Sequence, residues 1–317
     1  MRWVVTDQNG QPVIMCRRGS NGAEKLLTIP GHSGPARDVV WISLDEEAKV
    51  ATFASCSHDQ VVMLYKWDME SNAVDNMNAC KGHERSVDCL AADAQRGKFV
   101  ASGSFDTTLK IWGAKLQGSG AEESSAEGNG DGSKRAKKAS STLTRTPVMT
   151  LAGHKEGISG VAFTEAEGEV CTASWDHTIK MWDLEMGGMK GELVGNKSFF
   201  GLSYSRLNHT VITASADRTI RLYDPRAKEG VIVRSQFTSH EGWVTCVDWC
   251  QKREELFASG GHDNLVKMWD WRSCRTPLYD LKGHEDKVMC VDWGEEKADV
   301  VASGGADNDL KLFKTNC

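Results

Sequence analysis

The chain lacks any apolar run approaching the roughly 18 residues that cross a membrane. Its N-terminus, MRWVVTDQNGQP, has no apolar segment of the kind a secretory leader needs. It also lacks an excess of positive charge: 38 Lys and Arg stand against 44 Asp and Glu, for a net charge of −6. An overall electrostatic grip on nucleic acid is thereby excluded, and any such contact must come from a local patch. Ten cysteines are scattered along the chain, with no CxxC pair and no Cys/His cluster at zinc-ligand spacing. Many sit in apolar stretches such as VTCVDW and VMCVDW, where a free thiol behaves as a small core residue. That usage favours a reducing, intracellular compartment. No helical period stands out, and no GxGxxG opens a helix. Gly195-Asn196-Lys197-Ser198 lacks the Gly-Lys-Ser/Thr order of a phosphate loop.

What is present is a repeat. Gly-His or a near variant recurs at Gly31-His32, Gly82-His83, Gly153-His154, Gly195-Asn196, Ser239-His240 and Gly283-His284. Each is followed by a turn Asp: Asp59, Asp106, Asp176, Asp217, Asp263 and Asp307. Four residues before each Asp stands Ser55, Ser102, Thr172, Thr213, Ser259 or Ser303. Six residues after it, or eight in the first case, comes an aromatic: Trp67, Trp112, Trp182, Tyr223, Trp269 or Phe313. Between the markers run short β-branched and aromatic segments that end at Gly/Asp/Asn turns, which is strand patterning. With a 33-residue insert at 113–145 set aside, seven repeats average about 41 residues, within the range of the WD repeat. The expected fold is all-β: a seven-bladed WD-repeat β-propeller with a truncated first blade. Residues 1–30 form the partial blade, 31–112 blades two and three, and 146–317 blades four to seven.

His, Ser/Thr and Asp at regular spacing invite a catalytic triad. A triad is built once, around one nucleophile in one pocket. Here the trio recurs six times, so its expected role is structural. The indole N–H donates to the hydroxyl, the hydroxyl to His, and His to Asp, and a buried network of this kind fixes one geometry once every member is satisfied. His58, His177 and His262 adjoin the turn Asp, and only His209 lies outside the pattern. No histidine remains for a metal. No cofactor, small-molecule substrate or membrane contact is expected, and the chain reads as a non-enzyme. The repeats with Asn196 and Tyr223, and with Phe313, lack network members and should lean on apolar packing.

The insert, GAKLQGSGAEESSAEGNGDGSKRAKKASSTLTR, is nearly free of large apolar groups and is expected to be a disordered surface loop. It carries Lys134, Arg135, Lys137 and Lys138, a pattern that fits either a nuclear import signal or a solvated charge run.

Several segments go beyond the generic repeat: LTRTPVMTLAGH (143–154), SWDHTIKMWD (174–183), GNKSF (195–199), DRTIRLYDPR (217–226) and TSHEGWVTCVDW (238–249), with DNLVKMWDWRSCRTPLYDL and HEDKVMCVDW further on. In these the chain resembles the WD repeat-containing protein twelve family, the WD-repeat subunit of the PeBoW complex. The resemblance runs from about residue 25 to the end, apart from the insert, whose basic character is itself a family trait. It implies large (60S) ribosomal subunit biogenesis and rRNA maturation on pre-60S particles. It also implies docking on a Bop-type propeller beside Pescadillo, in the nucleus, nucleolus and nucleoplasm, and it turns the basic cluster toward the nuclear-signal reading. The family places a ubiquitin-like domain, which engages midasin, before the propeller. This sequence starts inside the expected first blade, with Trp3–Thr6, Pro12–Cys16 and Leu26–Ile29 as strands. A truncated isoform or an incomplete gene reading is the expectation, with midasin binding in doubt. Trp243 and Arg206 are exposed candidates for partner contact. The competing reading is a substrate receptor of a cullin ubiquitin ligase, prompted by Tyr223-Asp224-Pro225-Arg226 and Trp269-Asp270-Trp271-Arg272.

Overall fold

The computed structural model describes residues 2–6, 11–18, 22–29, 31–93, 96–115, 143–226, 233–294 and 299–315. It is built of antiparallel strands joined by tight turns. The first three, β1 (Arg2–Thr6), β2 (Pro12–Arg18) and β3 (Gly22–Thr28), form a sheet in the order β1-β2-β3.

Six further sheets each carry one turn Asp, by which they are named here. The Asp59 blade holds β4 (Ala36–Asp45), β5 (Val50–Ser57), β6 (Val61–Asp68) and β7 (Ala73–Lys81). The Asp106 blade holds β8 (Val87–Ala92), β9 (Phe99–Ser104) and β10 (Thr108–Gly113). Then β11 (Leu143–Arg145) adds to the Asp59 blade as a fifth strand, parallel to β7, and β12 (Met149–Ala152) closes the Asp106 blade. The Asp176 blade is β13 (Ile158–Phe163), β14 (Glu169–Ser174), β15 (Thr178–Asp183) and β16 (Gly188–Val194). The Asp217 blade is β17 (Phe199–Tyr204), β18 (Val211–Ser215), β19 (Ile220–Tyr223) and β20 (Val233–Phe237). The Asp263 blade is β21 (Val244–Trp249), β22 (Leu256–Gly261), β23 (Val266–Asp270) and β24 (Tyr279–Leu281). The Asp307 blade has three strands, β25 (Val288–Trp293), β26 (Val300–Gly305) and β27 (Leu310–Lys314).

The expected seven-bladed propeller is therefore corrected to six blades. A blade needs an innermost strand fed by a lead-in loop, followed by the Asp turn that ties the two together. The Asp307 blade has both despite its three strands. Among the described residues the sheet β1-β2-β3 shows neither, and it lies against β4 as an added sheet. A second correction concerns the insert. Its expected end, Leu143–Arg145, is the strand β11. Lys134, Arg135, Lys137 and Lys138 lie outside the described residues.

The core lies between blades rather than within them, because each sheet buries a face against its neighbour. Leu64 and Val62 of β6 share a cluster with Leu90, Val100 and Trp112 of the next blade. Phe237, Phe257, Trp249 and Trp269 join the Asp217 and Asp263 blades, with Phe257 and Trp269 stacked at 5.9 Å. Each such fully buried side chain contributes about 2–3 kcal/mol. Innermost strands are also stapled across blades by side chains. Asp38 Oδ2 accepts from the Leu90 N–H at 2.7 Å, and Asp248 Oδ2 from the Trp293 N–H at 3.0 Å. Ser159 donates to the Phe199 carbonyl at 2.6 Å. Cys56, Cys80, Cys89, Cys171 and Cys250 are buried, while Cys274 and Cys290 are exposed. Burial pushes the Cys80 and Cys171 thiols up to about 12, so they fill space rather than react.

Candidate functional site

Each repeated site begins with a backbone turn. The residue after each turn Asp has a positive φ: Gln60 at 71°, Thr107 at 67°, His177 at 68°, Arg218 at 65°, and Asn264 and Asn308 at 64°. That turn aims the Asp carboxylate back over its own backbone, where it accepts an N–H two residues on. Val61, Thr108, Thr178, Thr219, Leu265 and Asp309 supply it, at 2.9 to 3.3 Å. This is the local chemistry that makes Asp a turn residue.

The carboxylate then reaches the lead-in loop. It accepts the loop N–H of Ser33, Glu84, Lys155, Glu241 or Glu285 at 2.9 to 3.1 Å. It also takes Nδ1 of the loop histidine. The pairs are His32–Asp59 (3.0 Å), His83–Asp106 (2.7 Å), His154–Asp176 (2.8 Å), His240–Asp263 (2.8 Å) and His284–Asp307 (2.9 Å). Nε2 of each ring lies 2.7 Å from Ser55, Ser102, Thr172, Ser259 or Ser303. A carboxylate can only accept, so Nδ1 carries the proton; in the neutral ring Nε2 then accepts from the hydroxyl. Burial lowers the His154 pKa, which keeps that ring neutral. Burial by itself would raise the carboxyls of Asp59 and Asp176. Hydrogen bonds from His32, from Thr178 and His154, and from loop N–H groups outweigh it and hold both at about 2.

The fourth member is present in three blades. The indole N–H of Trp112, Trp182 and Trp269 donates to Ser102, Thr172 and Ser259 at 2.8 to 2.9 Å. In the Asp59 blade the expectation needs correcting. Ser55 pairs with Met63, so the position two residues further along β6 belongs to Tyr65, not Trp67. Trp67 pairs with Ala51 and packs 6.3 Å from Trp41. Tyr65 is fully buried, and burial pushes its hydroxyl up to about 12. In the Asp307 blade the same position is Phe313, which has no donor.

The Asp217 blade is built differently. Asn196 replaces His and Tyr223 replaces Trp, so Thr213 faces neither imidazole nor indole. Arg221, buried on β19, turns back to Asp217, with its two amino nitrogens 3.1 and 2.5 Å from the two carboxylate oxygens. In three other blades the matching position holds Lys110, Lys180 and Lys267, which reach outward to Thr150, Glu192 and Asp280 at 3.1, 2.8 and 2.8 Å. The lead-in loop keeps the backbone bond found in all six blades, here Ala216 N–H to the Ser198 carbonyl at 3.0 Å, and the Ser215 hydroxyl donates to the same carbonyl at 3.3 Å. The buried Phe199 ring fills the space against Gly195.

In five of these sites the carboxylate and the ring are committed to a loop-to-turn tie, and in the sixth Asp217 is taken by Arg221 and the Thr219 N–H. Among the described residues no group of three or more His, Cys, Asp or Glu could hold a metal ion, and no helix is long and apolar enough to cross a membrane. His209, outside the repeat, sits 2.5 Å from Glu165. Arg226 and Arg272, the residues behind the ligase-receptor reading, fold back onto their own Asp224 and Asp270 at 3.0 and 2.6 Å. Trp243 and Arg206 lie at opposite ends of their sheets. Trp243 is half-exposed beside the lead-in loop, and Arg206 follows β17 at the far turn.

Two features were missed from sequence. Arg145 of β11 grips both ends of the insert: Nε donates to Asn78 at 2.7 Å, and its amino groups to the Gly113 and Lys115 carbonyls at 2.6 and 2.5 Å. The second is an aromatic rail on the loop face. Phe105 meets Trp175 at 4.8 Å, Trp175 meets Phe200 at 6.1 Å, Phe200 meets Trp243 at 5.6 Å, and Trp243 stacks on His262 at 5.2 Å. The available signal was positional, since Phe105, Trp175 and His262 each immediately precede a turn Asp.

Residues 75–113, 145–183, 189–224, 231–270 and 275–314 match the family described as WD domain, G-beta repeat. The chain belongs to that family. Its similar curated relatives include proteins named "Ribosome biogenesis protein WDR12 homolog". The one from Ixodes scapularis is 49% identical over 261 residues, covering 82% of this chain and 60% of the relative. The one from Culex quinquefasciatus is 49% identical over 257 residues, covering 81% and 58%. The one from Anopheles gambiae is 46% identical over 281 residues, covering 89% and 62%. These relatives bear out the resemblance to the WD repeat-containing protein twelve family. The chain spans about 60% of their length.

Proposed function

We propose that the chain acts in ribosome biogenesis as a non-catalytic propeller that presents recognition surfaces on rigid blades. The observation that carries this reading is the 46–49% identity to ribosome biogenesis relatives across more than four-fifths of the chain. The geometry supports it, because the repeated polar groups are spent on fixing loops, and loops fixed on a rigid scaffold carry recognition. In finer terms, the work is maturation of the large subunit and its rRNA on pre-60S particles. The partners are a Bop-type propeller protein and Pescadillo in a PeBoW-like complex. The setting is the nucleus, nucleolus and nucleoplasm, with Lys134, Arg135, Lys137 and Lys138 as the import signal. Affinity purification of the tagged chain from nuclear extract tests this. Recovery of the Bop-type protein, Pescadillo and precursor large-subunit particles is the expected result. A cullin adaptor recovered without ribosomal precursors overturns it.

A further inference from the structure

Neighbouring blades share one recurring joint. The residue after each network Ser/Thr is small: Cys56, Gly103, Ala173, Ala214, Gly260 and Gly304. In five blades it meets an apolar residue from the innermost strand of the next blade. Val87 shares a core cluster with Cys56, Phe199 with Ala173, and Val244 with Ala214. At the glycines the fit is closest. A Cβ at Gly103 would meet Ile158 at 2.5 Å and the Cys89 sulfur at 2.6 Å, and one at Gly260 would meet Val288 at 2.5 Å and the Cys246 sulfur at 2.8 Å. The carbonyl of the seated residue is held as well. The Cys89 thiol donates to that of Ile158 at 3.7 Å, Ser159 to that of Phe199 at 2.6 Å, and Thr245 to that of Val288 at 2.5 Å.

The sixth joint has the seat alone. Gly304 and Cys290 repeat the Gly260–Cys246 pair, with the sulfur again 2.8 Å from the Cβ position, but no other atom of the described residues lies within 4 Å of it. Solvent enters there: Cys290 is exposed and Met289 is 48% exposed, whereas Cys89 is 6% exposed and Cys246 half-buried. The Cys290 thiol nonetheless lies deep among the blades. That enclosure, with Asp292 and, from across the joint, Asp38 of β4, pushes it up to about 11. The innermost strands β4, β8, β13, β17, β21 and β25 pack as successive neighbours, but β25 does not pack on β4 in that way. The strand lying against β4 is β1, whose one paired neighbour among the described residues is β2. Its other edge offers backbone N–H and C=O groups, which template a further strand.

We propose that this joint docks an extended β-strand of another protein, added to the edge of β1, with a valine or isoleucine seated on Gly304 and its carbonyl facing the Cys290 thiol. The seat selects the side chain, because its two filled glycine copies in this chain both hold a β-branched residue, Ile158 and Val288. Every described strand of this chain is already placed in a sheet, so the occupant is another polypeptide. The inference rests on the reading that the chain works through protein contacts, and it names the chemistry of one such contact.

The test is fluorescence polarisation of a labelled synthetic copy of residues 285–293, with serine in the cysteine position, against the full chain. In the protein this strand already seats its valine on the matching Gly260–Cys246 pair. Saturable binding is expected. A peptide with glycine in the valine position should bind about tenfold more weakly, the worth of burying one valine side chain. Gly304→Val fills the seat and should abolish binding. Its backbone is not left-handed, so only the Cys290 thiol must yield. Should that variant fail to fold, hydrogen exchange on the parent chain decides, because the bound peptide should slow exchange at Arg2–Thr6. Absent binding, equal binding by the glycine peptide or by folded Gly304→Val, or unchanged exchange at Arg2–Thr6 overturns the proposal. Sedimentation of the chain alone as a dimer with Arg2–Thr6 already protected gives the joint to a second copy and overturns the partner strand. Recovery of precursor particles without peptide binding sinks this inference alone. Peptide binding without those particles sinks the proposed function alone.

Discussion

The Asp176 and Asp217 blades are neighbours of the same strand plan, yet they hold their turns in different ways. In the first, Asp176 is tied through His154 to Thr172 and Trp182, linking residues up to 28 apart in sequence. In the second, Asp217 is neutralised by Arg221 four residues away, and the loop is tied without an imidazole, by backbone, the Ser215 hydroxyl and the Phe199 ring. The comparison separates two jobs. The turn Asp needs a buried donor wherever the donor originates. The loop needs an anchor, which imidazole or an apolar plug can supply.

Several experiments break or sharpen this contrast. The largest effect is expected from acid. The carboxyls of Asp59, Asp176 and Asp307 are held near 2 against an ordinary 3.8. A depressed carboxyl stabilises fully above its unfolded pKa, and that contribution is lost as pH falls through the folded one. Melting temperature should therefore drop as pH goes from about 4 to 2, and Asp176→Asn should flatten part of that fall. A flat thermal-melt profile over this window contradicts the carboxylate role. Next, Asp176→Ala strands His154 and two N–H groups, and should cost about 3 kcal/mol in urea unfolding. Arg221→Ala should cost less, about 2 kcal/mol, and Arg221→Lys should not restore it, because a single ammonium cannot fork onto both oxygens. Full rescue by Lys would show that charge alone suffices. A smaller gain, about 0.5–1 kcal/mol, is expected from Phe313→Trp, whose indole would donate to Ser303. The smallest effect is that of Asn196→His, within about 0.5 kcal/mol, because Arg221 already occupies Asp217. A large gain there, read from the same urea curves, would mean that the Arg221 tie is a poor substitute.

The repeat was legible because its markers sit at fixed offsets and each has a local physical cause. The Asp caps a turn, the His lies at the loop, and the hydroxyl sits four residues before the Asp. What escaped were features set by pairing register and by blade-to-blade proximity. Trp67 matched the motif by composition, but register gives the position to Tyr65, because Ser55 faces Met63. Arg221 reads as an ordinary basic strand residue until its side chain is seen turned inward, while Lys110, Lys180 and Lys267 at matching positions turn outward. The count of six blades follows from where innermost strands exist, which an average repeat length does not report. β11 was hidden because three residues at the end of a polar insert carry no strand pattern. They are held there by Arg145 and the edge of β7.

The account's central claim is that the recurring His, Ser/Thr and Asp build the scaffold and leave recognition to the surface. Its most direct test is the urea-unfolding midpoint of Asp176→Ala against the parent chain. The account requires a clear fall, corresponding to about 3 kcal/mol. An unchanged midpoint would contradict it, because a carboxylate that holds no structure would need another reason to stand at every turn.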